Sequence, residues 1–148
     1  MCHHRGYGGF MQSFPKRIFL TRFACSVVAA LCIAAPAYAV TPAEQLAGFV
    51  AQSGQPPQVA KGQAFFNNKH GAEWSCASCH TSSPTVDGKH AKTEKRIHPM
   101  APAFNPDRFT DSAKTEKWFR RNCNDVVGRE CTAGEKADVL AWLISLKP

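Results

Sequence analysis

Cys76-Ala77-Ser78-Cys79-His80 is the stretch on which the fold of this chain depends. Two thiols three positions apart, with a histidine directly after the second, have the spacing at which haem is attached covalently to a polypeptide. Each sulfur adds to one haem vinyl group, and the histidine is held beneath the iron. The stretch therefore predicts a c-type haem site, with Cys76 and Cys79 as attachment points and His80 as one axial ligand.

Two other kinds of site share the CxxC spacing. A redox dithiol is expected within a βαβ pattern, and a zinc site needs a second ligand pair at matching spacing. The later cysteines, Cys123 and Cys131, are eight positions apart and do not supply that pair. No strand signal longer than three residues accompanies the stretch. The haem interpretation is favoured over both alternatives.

Residues 1–39 have the pattern of a cleaved secretory signal peptide. A basic start, an apolar run and a small-x-small cleavage site follow one another at Lys16, Arg17 and Arg22, at 23–35 and at Ala37-Tyr38-Ala39. A membrane anchor needs an apolar span of roughly 18 residues or more, and this run is shorter and closed by Pro36. We expect cleavage after Ala39, and Met11 as a start would give a leader of ordinary length. Residues 40–148 then form one domain exported to the periplasm.

Removing the leader changes the charge and the cysteine count. Four of the 18 basic residues and none of the 11 acidic residues leave, so 14 basic residues remain against 11 acidic ones, a formal charge of +3. The high positive charge of the full chain thus belongs largely to the leader and does not support nucleic-acid binding. Four cysteines remain, two for haem and two in an oxidising compartment, where a disulfide is the default.

Two helices are expected before the haem motif. Thr41-Pro42-Ala43-Glu44 is a capping box with proline at the first helical position, and it predicts a helix to about Gln52. A second helix begins near Val59. Its Gly62 and Phe66 fall four apart on one face, so another helix can cross closely at the glycine while the phenylalanine packs beside it.

Two further helices are expected after the motif. Residues 110–112 cap a helix from about 113 to 121 that carries Trp118 and Phe119 on its buried side, and 122–131 follow as a loop. A second capping box at 132–135 opens the last helix. Apolar residues recur on that helix at i, i+3, i+4 and i+7, at Val139, Trp142, Leu143 and Leu146.

These elements together are the arrangement of a class I cytochrome c fold. An early helix with a Gly/Phe face, a CxxCH turn and a terminal amphipathic helix with a central aromatic residue are all present. We therefore expect an all-α fold in which the first and last helices cross near Gly62 and Trp142 and frame one covalently attached haem c. Residues 81–98 have no sustained periodicity and are expected to be a loop along the haem edge.

The residue opposite His80 decides how the iron behaves. A methionine there makes an electron carrier of raised potential, whereas a weak or absent ligand leaves the iron open to small molecules. Met100 is a candidate, but 20 residues is a short path from one face of a porphyrin to the other. His90 and His98 lie in a polar loop and are expected to be solvated. The segment 121–131 is the alternative source of a ligand.

The late part of the chain resembles a specific family, the small periplasmic cytochromes c known as sphaeroides haem protein, or SHP. The resemblance covers essentially the whole mature chain. It is carried by Asn105-Pro106-Asp107-Arg108-Phe109-Thr110-Asp111-Ser112, Glu116-Lys117-Trp118, Arg121-Asn122-Cys123, Gly128-Arg129, Cys131-Thr132 and Gly134-Glu135-Lys136-Ala137-Asp138.

The resemblance implies a particular ligand set. In that family an asparagine directly before the first disulfide cysteine binds the oxidised iron, which by position is Asn122, with Cys123 and Cys131 as the bridge. It also implies that the asparagine leaves on reduction and that the ferrous haem then binds oxygen, nitric oxide or carbon monoxide. Asn124 is the nearby competitor. His70, His90 and His98 depart from the usual pattern and could coordinate iron at high pH.

Three functions are compatible with these features. The favoured one is electron transfer by a monomer that exchanges electrons with another periplasmic cytochrome, which the resemblance identifies as a dihaem cytochrome c. A basic patch beside the haem loop could meet that partner, although a solvated loop is the simpler interpretation of its residues, Lys89, Lys92, Lys95 and Arg96. The alternatives are an enzyme that reduces oxygen or detoxifies nitric oxide, and an ordinary carrier ligated by Met100.

Overall fold

The computed structural model describes residues 39–148, and within them the fold is helical, as predicted. The elements are α1 Pro42–Ser53, α2 Val59–Asn67, α3 Ala77–His80, β1 Gly88–Lys89, β2 Arg96–Ile97, α4 Ser112–Val127 and α5 Ala133–Ser145. The predicted signal peptide lies outside the described residues apart from Ala39. None of the described helices is long and apolar enough to cross a membrane.

Both predicted capping boxes are present. At α1, the Glu44 N–H donates to Thr41 Oγ1 at 3.1 Å, and the Thr41 N–H donates to the Glu44 carboxylate at 2.7 Å. At α5, Thr132 and Glu135 repeat the arrangement at 3.2 and 2.8 Å. Each box satisfies two N–H groups that the helix itself leaves unpaired, so the two helices begin where the sequence predicts.

Helices α2 and α5 approach each other closely where they cross at Gly62. A methyl group built on Gly62 would lie 1.9 Å from the Asp138 carbonyl oxygen and 2.8 Å from the Val139 nitrogen. One turn further along α2, the Phe66 ring lies 5.0 Å from the Trp142 ring, centroid to centroid. The predicted crossing near Gly62 and Trp142 is therefore confirmed.

The core consists of two adjoining clusters that share partly buried phenylalanines, Phe109 and Phe119. The first cluster lies between α2 and α5 and comprises Phe66, Val139, Trp142 and Leu143. The second lies between α1 and α5 and comprises Phe49, Ala137 and Leu140. Helix α5 contributes to both, so the last helix of the chain is the central element of the packing.

Helix α4 differs from the prediction in length. It continues to Val127, so Asn122 and Cys123 lie within the helix and the predicted loop 122–131 is wrong over its first half. The helix ends only at Gly128, which adopts the left-handed conformation at φ 75°. The sequence signal for the longer helix is an apolar repeat at i, i+4 and i+7 that runs through Phe119, Cys123 and Val126.

The predicted burial of Trp118 is also wrong. Its side chain is 44% exposed, whereas Phe119 packs against both core clusters. Adjacent residues of an α-helix point about 100° apart, so two neighbouring large side chains do not share one buried face.

The hairpin formed by β1 and β2 was not predicted from the sequence. In it, Gly88 pairs with Ile97 and Lys89 pairs with Arg96. Two-residue strands leave no periodic signal in a sequence.

Gly62→Ala is expected to lower the free energy of unfolding by about 2 to 3 kcal/mol, because the added methyl group meets the backbone of α5 and forces the helices apart. Urea denaturation of the haem-loaded protein measures this. The matched control is Gly48→Ala in α1, where an added methyl group meets nothing within 4 Å. The control should leave stability unchanged or raise it by up to about 1 kcal/mol, since alanine favours a helix over glycine. Equal effects at the two positions would contradict the proposed role of the crossing.

Candidate haem site

The CxxCH stretch forms a single helical turn, α3. The backbone N–H groups of Cys79 and His80 both donate to the Cys76 carbonyl oxygen, at 3.2 and 3.1 Å. The turn is closed at its start by Ser78 Oγ, which accepts from the Ser75 N–H at 3.0 Å. Because three residues make nearly a full turn, both thiols lie on the same side of the segment, and His80 follows immediately.

The loop that follows the motif packs directly against it. A methyl group on Gly88 would lie 2.0 Å from the Cys79 carbonyl oxygen, so the hairpin backbone is in close contact with α3. The Ala91 N–H approaches Cys79 Sγ at 3.4 Å. Thr81 leaves the turn at φ 64° and ψ 160°, a backbone region used almost only by glycine. The loop that follows the CxxCH motif thus restricts the backbone conformation of the motif.

His80 is a largely buried, neutral imidazole. Burial, with the positive charge of Arg108 as a second cause, lowers the pKa of His80 to about 4. Its ring lies 6.1 Å from the Phe66 ring, centroid to centroid. A haem-ligating histidine usually donates its Nδ1–H to a backbone carbonyl, but no described residue pairs with this buried nitrogen of His80. Packing therefore holds the ring, and a ring that is unprotonated at neutral pH is in the form that binds a metal.

Cys76 does not have the character of a zinc ligand or a redox thiol. Burial raises the pKa of Cys76 to about 11, whereas both of those uses need a stabilised thiolate. Within residues 39–148 no three His, Cys, Asp or Glu side chains form a cluster that could hold a metal ion by themselves. A covalently attached porphyrin fits the same residues, because its thioethers need two adjacent thiols and its iron needs one neutral imidazole.

The candidate ligand from the other side of the iron lies on α4. Asn122 is half-buried, and it is followed by Cys123, which is buried and joined to Cys131 by a disulfide with the two Cα atoms 5.6 Å apart. Phe119, one turn earlier on α4, packs against the same core cluster as Cys76. The haem motif and the Asn122 segment therefore converge on one apolar cluster from different parts of the chain.

Asn124 is placed differently from Asn122. Its side chain is exposed, and its Nδ2 donates to the Arg120 carbonyl oxygen at 2.8 Å, one turn back on the same helix. This bond turns the amide along the outer surface of α4. The two asparagines thus have different surroundings, with Asn124 bonded on the helix surface and Asn122 half-buried.

Met100 is tied to the loop that follows His80. Its backbone N–H donates to the Pro84 carbonyl oxygen at 2.9 Å, and the preceding Pro99 carbonyl accepts from Arg108 Nε at 2.8 Å. The positive charge of Arg108 also contributes to the lowered pKa of His80. Met100 itself packs against the core cluster of α2 and α5. These contacts tie the Met100 backbone to the loop that follows His80, while its side chain shares an apolar cluster with Cys76 and Phe119.

The three additional histidines have other partners. His70 Nε2 lies 2.8 Å from the Phe65 carbonyl oxygen. His90 Nδ1 accepts from the backbone N–H groups at 92 and 93, at 3.2 and 3.3 Å. His98 Nδ1 lies 3.3 Å from an Asp87 carboxylate oxygen, and its side chain is 65% exposed. Each ring is held by its own local segment.

The helical fold and the CxxCH turn define a c-type cytochrome that carries one covalently attached haem c. A family model described as "Domain of unknown function (DUF1924)" matches residues 52–143. The cytochrome c-type protein SHP of Cereibacter sphaeroides is 45% identical over 130 residues, which are 84% of this chain and 98% of that protein. Cytochrome c″ of Methylophilus methylotrophus is 44% identical over 93 residues, 60% of this chain and 65% of that protein.

Comparison with solved structures also finds SHP and cytochrome c″. Oxidised SHP, described as an oxygen-binding cytochrome c, matches with a TM-score of 0.69 and 46% identity over 73% of this chain and 99% of that structure. Oxidised cytochrome c″ matches with a TM-score of 0.64 and 38% identity over 72% and 95%. The chain belongs to the family of c-type cytochromes that contains SHP and cytochrome c″.

Removing the disulfide with Cys123→Ser and Cys131→Ser is expected to lower the free energy of unfolding by about 2 to 3 kcal/mol. The reason is that the bridge restricts the conformations of the unfolded chain, and the variant lacks this restriction. Urea denaturation of the haem-loaded double variant against the unaltered protein measures the loss. As a control, a thiol reductant should destabilise the unaltered protein by a similar amount and leave the variant unaffected. A variant as stable as the parent would show that the bridge does not restrain the unfolded chain.

Proposed function

We propose that this protein is a periplasmic electron-transfer cytochrome whose single haem iron is bound by His80 and, when oxidised, by Asn122. On reduction the Asn122 amide leaves, so that the ferrous iron can bind oxygen, nitric oxide or carbon monoxide. Two relatives support the proposal. SHP is described as an oxygen-binding cytochrome c, and a solution structure of cytochrome c″ addresses haem-ligand detachment.

The placement of Asn122 is the observation that carries the proposal. Its half-buried amide makes no hydrogen bond to another described residue, whereas Asn124 is bonded along the helix surface. The competing histidines are held by their own segments, and Met100 is anchored beside the loop that follows His80. Among the polar candidates, Asn122 thus has a side chain without a hydrogen-bond partner in the described chain, which supports its assignment as the ligand.

The chemistry of an amide explains why such a bond would depend on oxidation state. An amide oxygen is a neutral, hard and weak donor, which suits Fe(III) better than Fe(II). One added electron lowers the charge that attracts this oxygen, while the His80 imidazole remains a good ligand for both states. Asn122 is thus the ligand that reduction removes first.

The electron partner is proposed from the family resemblance, as a periplasmic dihaem cytochrome c. The predicted leader of residues 1–39 supports export, which also provides the oxidising compartment in which a Cys123–Cys131 bridge persists. Diatomic ligands would then reach the iron only in the reduced protein, after an electron has arrived.

Optical spectra of the two oxidation states test the ligand assignment. The oxidised protein should be low-spin, and Asn122→Ala should become high-spin when oxidised, because the iron loses its sixth ligand. The reduced protein should be high-spin and take up carbon monoxide readily with or without the substitution. Asn124→Ala is the matched control and should leave both spectra unchanged.

An oxidised spectrum that Asn122→Ala does not change would remove Asn122 from the iron. Loss of a methionine–iron charge-transfer band on Met100→Ala would replace the proposal with an ordinary methionine-ligated carrier. Sustained consumption of oxygen or nitric oxide, with an electron donor present, would identify an enzyme instead of a carrier.

A further inference from the structure

Four exposed residues form a line along one face of α4. Lys114, Lys117, Trp118 and Arg121 occupy positions i, i+3, i+4 and i+7, which share a face of an α-helix. The indole at the centre is 44% exposed, although tryptophan is among the residues that gain most from burial. We refer to these four residues as the α4 stripe.

The positive charge of the α4 stripe is not neutralised by neighbouring carboxylates. Lys117 Nζ and the Arg121 guanidinium lie 6.0 and 5.7 Å from the Trp118 ring centroid, and no ion pair to another described residue involves them. Glu116, which directly precedes Lys117 in sequence, is paired with Lys136 at 2.6 Å. The stripe therefore presents an aromatic centre with cations on both sides.

The basic patch that the sequence analysis expected at the hairpin differs from the α4 stripe in how its charges are paired. Lys89 is paired with Glu94, and Arg96 is paired with Asp87. The Lys92 ammonium lies 4.8 Å from the Trp74 ring centroid. Two of the four hairpin cations are thus paired with carboxylates, whereas no cation of the α4 stripe forms an ion pair with a described residue.

The α4 stripe also lies next to the proposed iron ligand. Trp118 precedes Asn122 by four residues, one helical turn, and Arg121 is its direct neighbour. Between them, Phe119 packs into the core cluster that Cys76 also contacts. A partner seated on the stripe would therefore contact the helix that connects the surface to the haem site.

We propose that the α4 stripe is the docking surface for an electron-transfer protein with a carboxylate-rich face. Trp118 would be the anchor at the centre of a small interface, and Lys114, Lys117 and Arg121 would steer and orient the acidic partner. The role in electron transfer rests on the proposed function, whereas the affinity for an acidic surface does not depend on which residue binds the iron.

Binding is tested with poly-L-glutamate as the carboxylate-rich probe. Backbone amide NMR signals of 114–121 should shift on titration at low ionic strength and return with added salt. Lys117→Glu with Arg121→Glu should abolish the shifts. The matched control is Lys61→Glu with Lys69→Glu, which makes the same change in net charge at exposed positions on another part of the protein. This control variant should still show the NMR shifts of 114–121 on titration. Unaltered visible spectra verify that each variant is folded and holds haem.

Electron exit is tested with ferricyanide, an anionic oxidant. One electron leaves Fe(II), which becomes Fe(III), and reduces ferricyanide to ferrocyanide. Reversing charge at 117 and 121 should slow this oxidation about tenfold at low salt and speed oxidation by a cationic cobalt(III) complex, because the local potential changes sign. Lys117→Gln with Arg121→Gln should give an intermediate rate, and the 61/69 control should change little.

The proposal is overturned if the 117/121 and 61/69 variants alter the ferricyanide rate equally, since net charge alone would then explain the effect. It is also overturned if poly-L-glutamate leaves 114–121 unshifted while phosphatidylglycerol vesicles bind through the stripe, which would make it a membrane-facing surface. Failure of the Asn122 spectral test leaves the poly-L-glutamate result intact, so the two proposals fail separately.

Discussion

The approach of α2 to α5 at Gly62 is the contact on which the rest of the structure depends. Only a residue without a side chain lets the α2 backbone meet the Asp138 carbonyl, and this contact brings Phe66 against Trp142. The same phenylalanine lies beside His80. The α2–α5 crossing thus supplies part of the apolar surroundings whose desolvation lowers the pKa of His80.

Much of this arrangement could be predicted from sequence because its signals are local. The capping boxes that begin with Thr41 and Thr132 satisfy their own backbone groups, so they determine where helices begin regardless of context. The spacing of Cys76, Cys79 and His80 carries chemistry within five residues. The pair formed by Gly62 and Phe66 indicated a helix crossing because a glycine on an apolar helical face has few other uses.

The errors occurred where tertiary contacts, and not local patterns, determine the outcome. The polar run from Arg120 to Asp125 resembles a loop by composition, but Phe119, Cys123 and Val126 keep one side of it in the core and extend the helix to Gly128. The unpaired Nδ1 of His80 and the engagement of the hairpin lysines depend on which segments meet in space. Neither has a signal in the sequence.

The greater length of α4 determines how an Asn122 ligand could detach from the iron and bind it again. Asn122 is not on a flexible loop. Its backbone is within α4, and the next residue, Cys123, is tied by the disulfide to the chain just before α5. If its amide binds the iron, it can leave only by rotation of its own side chain, since moving the backbone would break helical hydrogen bonds and strain the bridge. Side-chain rotation is fast and leaves the packing around Phe119 intact. If the ligand leaves in this way, the α4 stripe would keep one geometry in both oxidation states, and a partner would meet the same surface before and after the electron is transferred.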